Sequence, residues 1–81
     1  MKTTRYFDEQ VLRKRPYIKS EWCEAAISTP VRRERQSDGR FRYWRQILDT
    51  ADGKPRMLRV VTLDDGETVH NAFFDRDFIQ G

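Results

Sequence analysis

One histidine, His70, stands in the chain, and a series of arginines precedes it at positions 33, 35, 40, 42 and 59. Imidazole exchanges protons near neutral pH, and guanidinium makes paired hydrogen bonds to phosphate or carboxylate. Together they are the groups that bind an anion and move a proton beside it. Cleavage of an RNA phosphodiester without a metal needs a base for the ribose 2′-hydroxyl and cations around the charged phosphorane. His70 is the candidate base, with Arg42 and Arg59 as electrostatic stabilisers. Arg33, Arg35, Arg40 and Trp44 are candidates for nucleic-acid binding, the arginines on phosphates and the indole under an unpaired base.

These roles depend on the strands that carry the residues. Arg56 to Phe74 places two runs of β-branched and aromatic residues on either side of Asp64-Asp65-Gly66-Glu67, a β-hairpin pattern. With Asp65-Gly66 as a two-residue turn, Leu63 pairs with Thr68, Thr62 with Val69, Val61 with His70 and Leu58 with Phe73. Alternation then puts Leu58, Val60, Thr62, Val69, Asn71 and Phe73 on a core face. Met57, Arg59, Val61, Leu63, Thr68, His70, Ala72 and Phe74 fall on the other. Ser37-Asp38-Gly39-Arg40 predicts a further hairpin turn between a charged edge strand, Val31 to Gln36, and a second strand, Phe41 to Leu48. Even-numbered loops would add Phe41, Tyr43 and Ile47 to the core face. They would add Arg33, Arg35, Arg40, Arg42, Trp44 and Gln46 to the open one, with Arg35 directly opposite Arg42. Like charges so placed repel, unless an anion lies between them.

Upstream, Asp8 is positioned to cap a helix over Gln10 to Arg15 that Pro16 ends. Ser20 followed by Glu21 and Glu24 marks a second helix start, and Thr29-Pro30 its stop. Trp22, Tyr17 and Cys23 are expected in the core. Phe78, in the tail after Asp75, is expected to dock back on the sheet. The predicted fold is α+β: two N-terminal helices packed on a four-stranded antiparallel β-meander, a single domain over 1–81.

Composition narrows the classes. Charged residues make up 36 % and aromatics 12 %, enough large apolar side chains for one small core. A single cysteine excludes an internal disulfide, and one histidine without clustered carboxylates gives zinc no ligand set. No glycine-rich phosphate loop is present, and no cofactor is expected. No apolar run has the length of a signal-peptide core or a membrane span, so a soluble cytoplasmic protein with no membrane contact is expected. Twelve arginines stand against four lysines, and residues 1–45 carry a net charge of +6 while 46–81 carry −3. Such asymmetry favours an anionic partner: RNA, or an acidic protein.

Several segments also form a familiar pattern. Arg13-x-Arg15-Pro-Tyr-Ile-x-x-x-Trp22 leads to Thr29-Pro30, then Gln36-x-Asp38-Gly39-Arg40-x-Arg42-Tyr43-Trp44. Leu58-Arg59-Val60-Val61 follows, and the pattern closes on Thr68-Val-His70-Asn71-Ala72-Phe73-x-Asp75-Arg76-x-Phe78. Over nearly the whole chain this resembles a family of short bacterial proteins of unknown function. That family is similar to the RelE/ParE-like toxins and, more distantly, to the barnase–EndoU–colicin–RelE group of metal-independent ribonucleases. The resemblance implies a helix pair on an antiparallel sheet and functional residues on a basic sheet face, by position Arg42, Arg59 and His70. It also implies an acidic antitoxin-like partner. Two functions follow as expectations. One is a small RNA-directed protein, a toxin-like metal-independent endoribonuclease. The other is a non-enzymatic interaction module that binds an acidic protein or a nucleic acid.

Overall fold

A computed structural model describes residues 1–78. The chain is α+β, with short helices followed by a four-stranded antiparallel sheet. The first helical segment, α1, opens as a π-helical turn over Phe7–Val11 and closes as Leu12–Lys14. It begins earlier than the expected Asp8 cap allows. The Asp8 carboxylate accepts from the Thr3 hydroxyl, and the backbone N–H of Phe7 is met by the Thr4 hydroxyl. The second helix, α2, spans Ser20–Ser28. Ser20 is its first helical residue, and the extended Lys19 precedes it without a side-chain cap, so the predicted Ser20 cap does not form. Pro30 disfavours helical backbone at Thr29, which leaves the helix at φ −137° while its N–H still bonds the Ala25 carbonyl.

The strands are β1 Arg32–Arg35, β2 Phe41–Ile47, β3 Arg56–Thr62 and β4 Val69–Phe74, in the spatial order β1-β2-β3-β4. Phe7, Val11, Ile18, Trp22, Cys23 and Ala26 cluster with Tyr43, Ile47, Leu58, Val60, Val69 and Ala72 to form the core. Ala26 is fully buried, and a methyl group there lets α2 approach the sheet closely. Cys23 is also fully buried, and burial, reinforced by Glu24, pushes its thiol up to about 12. Tyr17 departs from the expected core set. It is 50 % exposed, with its ring stacked on Phe74.

Two registers differ from the sequence expectation. Between β1 and β2, Gln36 N–H bonds the Arg40 carbonyl, which closes a loop of three residues. Gly39 takes φ +90° there, the left-handed position that completes a three-residue hairpin. An odd loop moves β1 by one residue. Arg33 and Arg35 therefore pair with Tyr43 and Phe41 on the helix side, and Glu34 pairs with Arg42. The predicted clash of Arg35 with Arg42 is replaced by a pair of opposite charges.

Between β3 and β4, Thr62 pairs with Val69 as predicted, but Val61 pairs with Asn71 and Leu58 with Phe74. His70 is the extra residue of a β-bulge. The bulge sends Asn71 and Phe73 to the open face and Ala72 and Phe74 to the core side, the reverse of strict alternation. Asp65 holds the connecting turn by accepting from the N–H groups of Glu67 and Thr68 and from the Thr68 hydroxyl. These bonds, the Thr68 hydroxyl first, hold its carboxyl down at about 2.

The N-terminal arm lies parallel to β4. Thr4 N–H bonds the Val69 carbonyl and Val69 N–H bonds the Lys2 carbonyl, which partly covers that sheet edge. Among the described residues, no helix is long and apolar enough to cross a membrane.

Candidate anion-binding site

A bulge re-aims the side chain it carries, and His70 is re-aimed against the N-terminal arm. Its Nδ1 lies 3.0 Å from the Thr4 hydroxyl oxygen, and its ring stacks on Tyr6 at 4.8 Å between centroids. Thr4 in turn accepts the Phe7 N–H at 3.1 Å, so the start of α1 fixes the group that fixes the ring. Burial, and then the charge of Arg40, lower the pKa of His70 from its ordinary value. The imidazole is therefore neutral at pH 7. With Nδ1 engaged, Nε2 is left without a protein partner among the described residues.

Arg59 lies in the middle of the open face, opposite Trp44 on β2 and Phe73 on β4. Its guanidinium lies 5.6 Å from the Trp44 ring and 5.2 Å from the Phe73 ring. Arg42 faces Val61 of β3 on the same side of the sheet. The Nε atoms of Arg42 and Arg59 are both buried with no hydrogen-bond partner among the described residues. Buried donors of this kind are uncommon, and water, an ion or a ligand completes most of them. Burial first, and then the neighbouring Arg42, lower the pKa of Arg59, while Asp75 and Glu34 act against the shift. Guanidinium keeps its charge at neutral pH regardless.

Arg40 comes from the base of the β1–β2 hairpin. With Tyr6, Gln36, Arg59, His70 and Phe73 it lines a cavity of about 290 Å³. The expected residues Arg40, Arg59 and His70 are thus brought together, with Arg42 close enough to act on Arg59.

The other expected site residues are not in this cavity. Trp44 is buried, 5 % exposed, and cannot serve as a stacking platform. Phe78 covers it at 5.6 Å, Arg32 and Arg59 flank it, and its Nε1–H donates to Asp75 at 2.9 Å. The expected docking of Phe78 on the sheet therefore holds and closes the platform; Ile79 to Gly81 of the tail lie outside the described residues. Arg33 and Arg35 leave the open face for the helix side, where both lie over Phe41.

Residues that the sequence reading did not select complete the cavity. Tyr6 and Phe73 supply aromatic walls, and Gln36 and Asn71 each supply an amide. One sequence sign of the bulge was present. An extra residue between Val69 and Ala72 lets Val69, Ala72 and Phe74 share a face and takes polar Asn71 out of the core, and in the structure that residue is His70.

Two cations, two amides, two aromatic walls and an imidazole thus line one cavity, an arrangement of groups able to bind an anion. Among the described residues, no group of three or more His, Cys, Asp or Glu side chains is arranged to hold a metal ion. No family model, curated protein or solved structure matches the chain.

The lowered pKa of His70 has a measurable effect on stability. The unfolded chain binds a proton near the ordinary histidine value of about 6.5 more readily than the folded chain does. Stability is therefore highest above that pH and falls as the pH drops below it. The urea midpoint of the wild type is expected to fall between about pH 7.5 and pH 5.5, and His70→Gln to flatten that part of the curve.

Proposed function

We propose that the chain is an RNA-directed protein that seats a phosphodiester between Arg40 and Arg59. On this reading it cleaves the phosphodiester as a toxin-like, metal-independent endoribonuclease. The observation that supports it is the convergence of these two cations and His70 on one cavity.

The proposed chemistry centres on His70. On this reading the ring is the tautomer with its proton on Nδ1, donated to the Thr4 oxygen 3.0 Å away, which leaves a lone pair on Nε2. That lone pair takes the proton of the ribose 2′-hydroxyl. The 2′-oxygen attacks phosphorus, the bond from phosphorus to the 5′-oxygen breaks, and a 2′,3′-cyclic phosphate results. The departing 5′-oxygen takes a proton from solvent water, and the imidazolium releases its own proton to solvent to reset the base. Arg40 and Arg59 hold the charge that builds on the phosphorane oxygens. Tyr6 and Phe73 replace Trp44 as the aromatic surfaces beside the nucleotide.

The test is an RNA cleavage time course in EDTA with wild type and His70→Ala, both shown to be folded by circular dichroism. Wild type is expected to cleave and leave cyclic phosphate ends. His70→Ala is expected to be slower by about 10²–10⁴-fold, the range for loss of a general base. Equal cleavage by both proteins would refute the role of His70. RNA binding without cleavage would leave the seat and remove the nuclease. No RNA binding would favour the interaction module with an acidic protein partner.

A further inference from the structure

A second and larger cavity, about 490 Å³, opens where the end of α1, the start of α2 and the loop between β2 and β3 meet the edge of the sheet. Arg15, Tyr17, Trp22, Phe73, Phe74 and Arg76 line it. Tyr17 stacks on Phe74 at 5.6 Å with 19° between the planes. One ring face is thus covered, yet the residue stays 50 % exposed, so its other face is open to solvent. Arg15 and Arg76 form no ion pair among the described residues. The one carboxylate in the lining, Asp52, is taken by Arg56.

This cavity and the first one share a wall. Phe73 lines both. Arg15 lies 5.8 Å from its ring and Arg59 lies 5.2 Å from it, so cations from the two cavities meet on the same aromatic side chain. The result is a basic path from His70 past Phe73 to the open face of Tyr17. A positively charged groove with aromatic platforms is the arrangement that binds single strands, because an unpaired base can splay out and stack while its phosphates follow the cations. A base held inside a duplex cannot reach such a platform.

We propose that the larger cavity receives the base next to the cleaved phosphodiester, stacked on Tyr17 with its phosphate near Arg15 and Arg76, so the substrate class is single-stranded RNA. The proposal rests on the phosphodiester reading of the first cavity. It adds the strandedness of the substrate and a second subsite.

Fluorescence anisotropy with a labelled single-stranded hexamer that carries 2′-methoxy groups, and so resists cleavage, tests it. A hairpin duplex of the same composition serves as the comparison. Wild type is expected to prefer the single strand by about tenfold or more, and Tyr17→Ala to lose about tenfold of that affinity, the scale of one lost stacked base. Tyr17→Phe keeps the ring and is expected to bind like wild type. Arg15→Ala gives a second reading should Tyr17→Ala fail to fold, and is expected to weaken the single strand. Equal binding of duplex and single strand would overturn the proposal. Undiminished binding by Tyr17→Ala, with binding still lost in Arg59→Met, would overturn it too and leave the first cavity standing. Absence of any RNA binding by wild type would overturn both.

Discussion

Arg59→Met is expected to weaken RNA binding by one to two orders of magnitude while the fold remains as stable as before, or slightly more so. Each half of this prediction has a separate cause. A charge-assisted hydrogen bond to a phosphate contributes about 1.5–3 kcal/mol, a loss of roughly ten- to hundredfold in affinity. Removal of one phosphate contact also reduces the slope of log affinity against log salt by about one. The folded protein, by contrast, gains little from Arg59. Its Nε is buried without a partner, and Arg42 repels it. Methionine keeps the unbranched stem against Trp44 and Phe73, and a thioether packs well on aromatic rings. The melting temperature is thus expected to hold or rise while binding falls. A residue kept only for packing would show the opposite pattern, with lower stability and unchanged binding. Paired thermal melts and salt-dependent RNA titrations decide between the two.

Phe7→Ala is expected to have the largest effect on stability. The Phe7 side chain is 1 % exposed and is among the largest fully buried side chains. Its truncation costs about 3–5 kcal/mol, a large part of the roughly 5–15 kcal/mol that holds a domain together. The loss extends to the site. Phe7 donates its backbone N–H to the Thr4 hydroxyl that holds His70 Nδ1, and Tyr6, its neighbour in sequence, stacks on the same imidazole. Loosening of α1 therefore releases both contacts. Urea denaturation gives the energy, and it should show a lower midpoint. In the part of the population that stays folded, the pKa of His70 should move back toward its ordinary value, because the arm that desolvates it is no longer fixed.

The strand content was legible in the sequence because alternation and turn residues are local. The strand expected over Phe41 to Leu48 forms over Phe41–Ile47, the strand expected from Arg56 forms over Arg56–Thr62, and the face that carries Arg42, Arg59 and Val61 is the expected one. Register was not legible wherever it depended on loop parity. Asp38-Gly39 announces a turn but does not say whether two or three residues form it, and that one residue decides which way Arg33 and Arg35 point. The bulge at His70 had the same effect on Asn71, Ala72, Phe73 and Phe74. Trp44 illustrates a different limit. Its place on the open face was correct, but the open face is not bare, since Phe78 and Asp75 return from the far end of the chain to cover it. The Thr4 and Tyr6 contacts to His70 join residues more than sixty positions apart, and no local pattern encodes such a pair.

The most direct measurement uses the fact that the chain has one histidine. Its imidazole proton resonance can be followed by NMR against pH, alone and with the 2′-methoxy hexamer at saturation. Free protein is expected to titrate below the ordinary histidine pKa of about 6.5, and bound protein to titrate higher than free protein, because a phosphate anion beside the ring favours its charged form. An unchanged pKa with the oligonucleotide bound would place RNA elsewhere on the molecule and contradict the site.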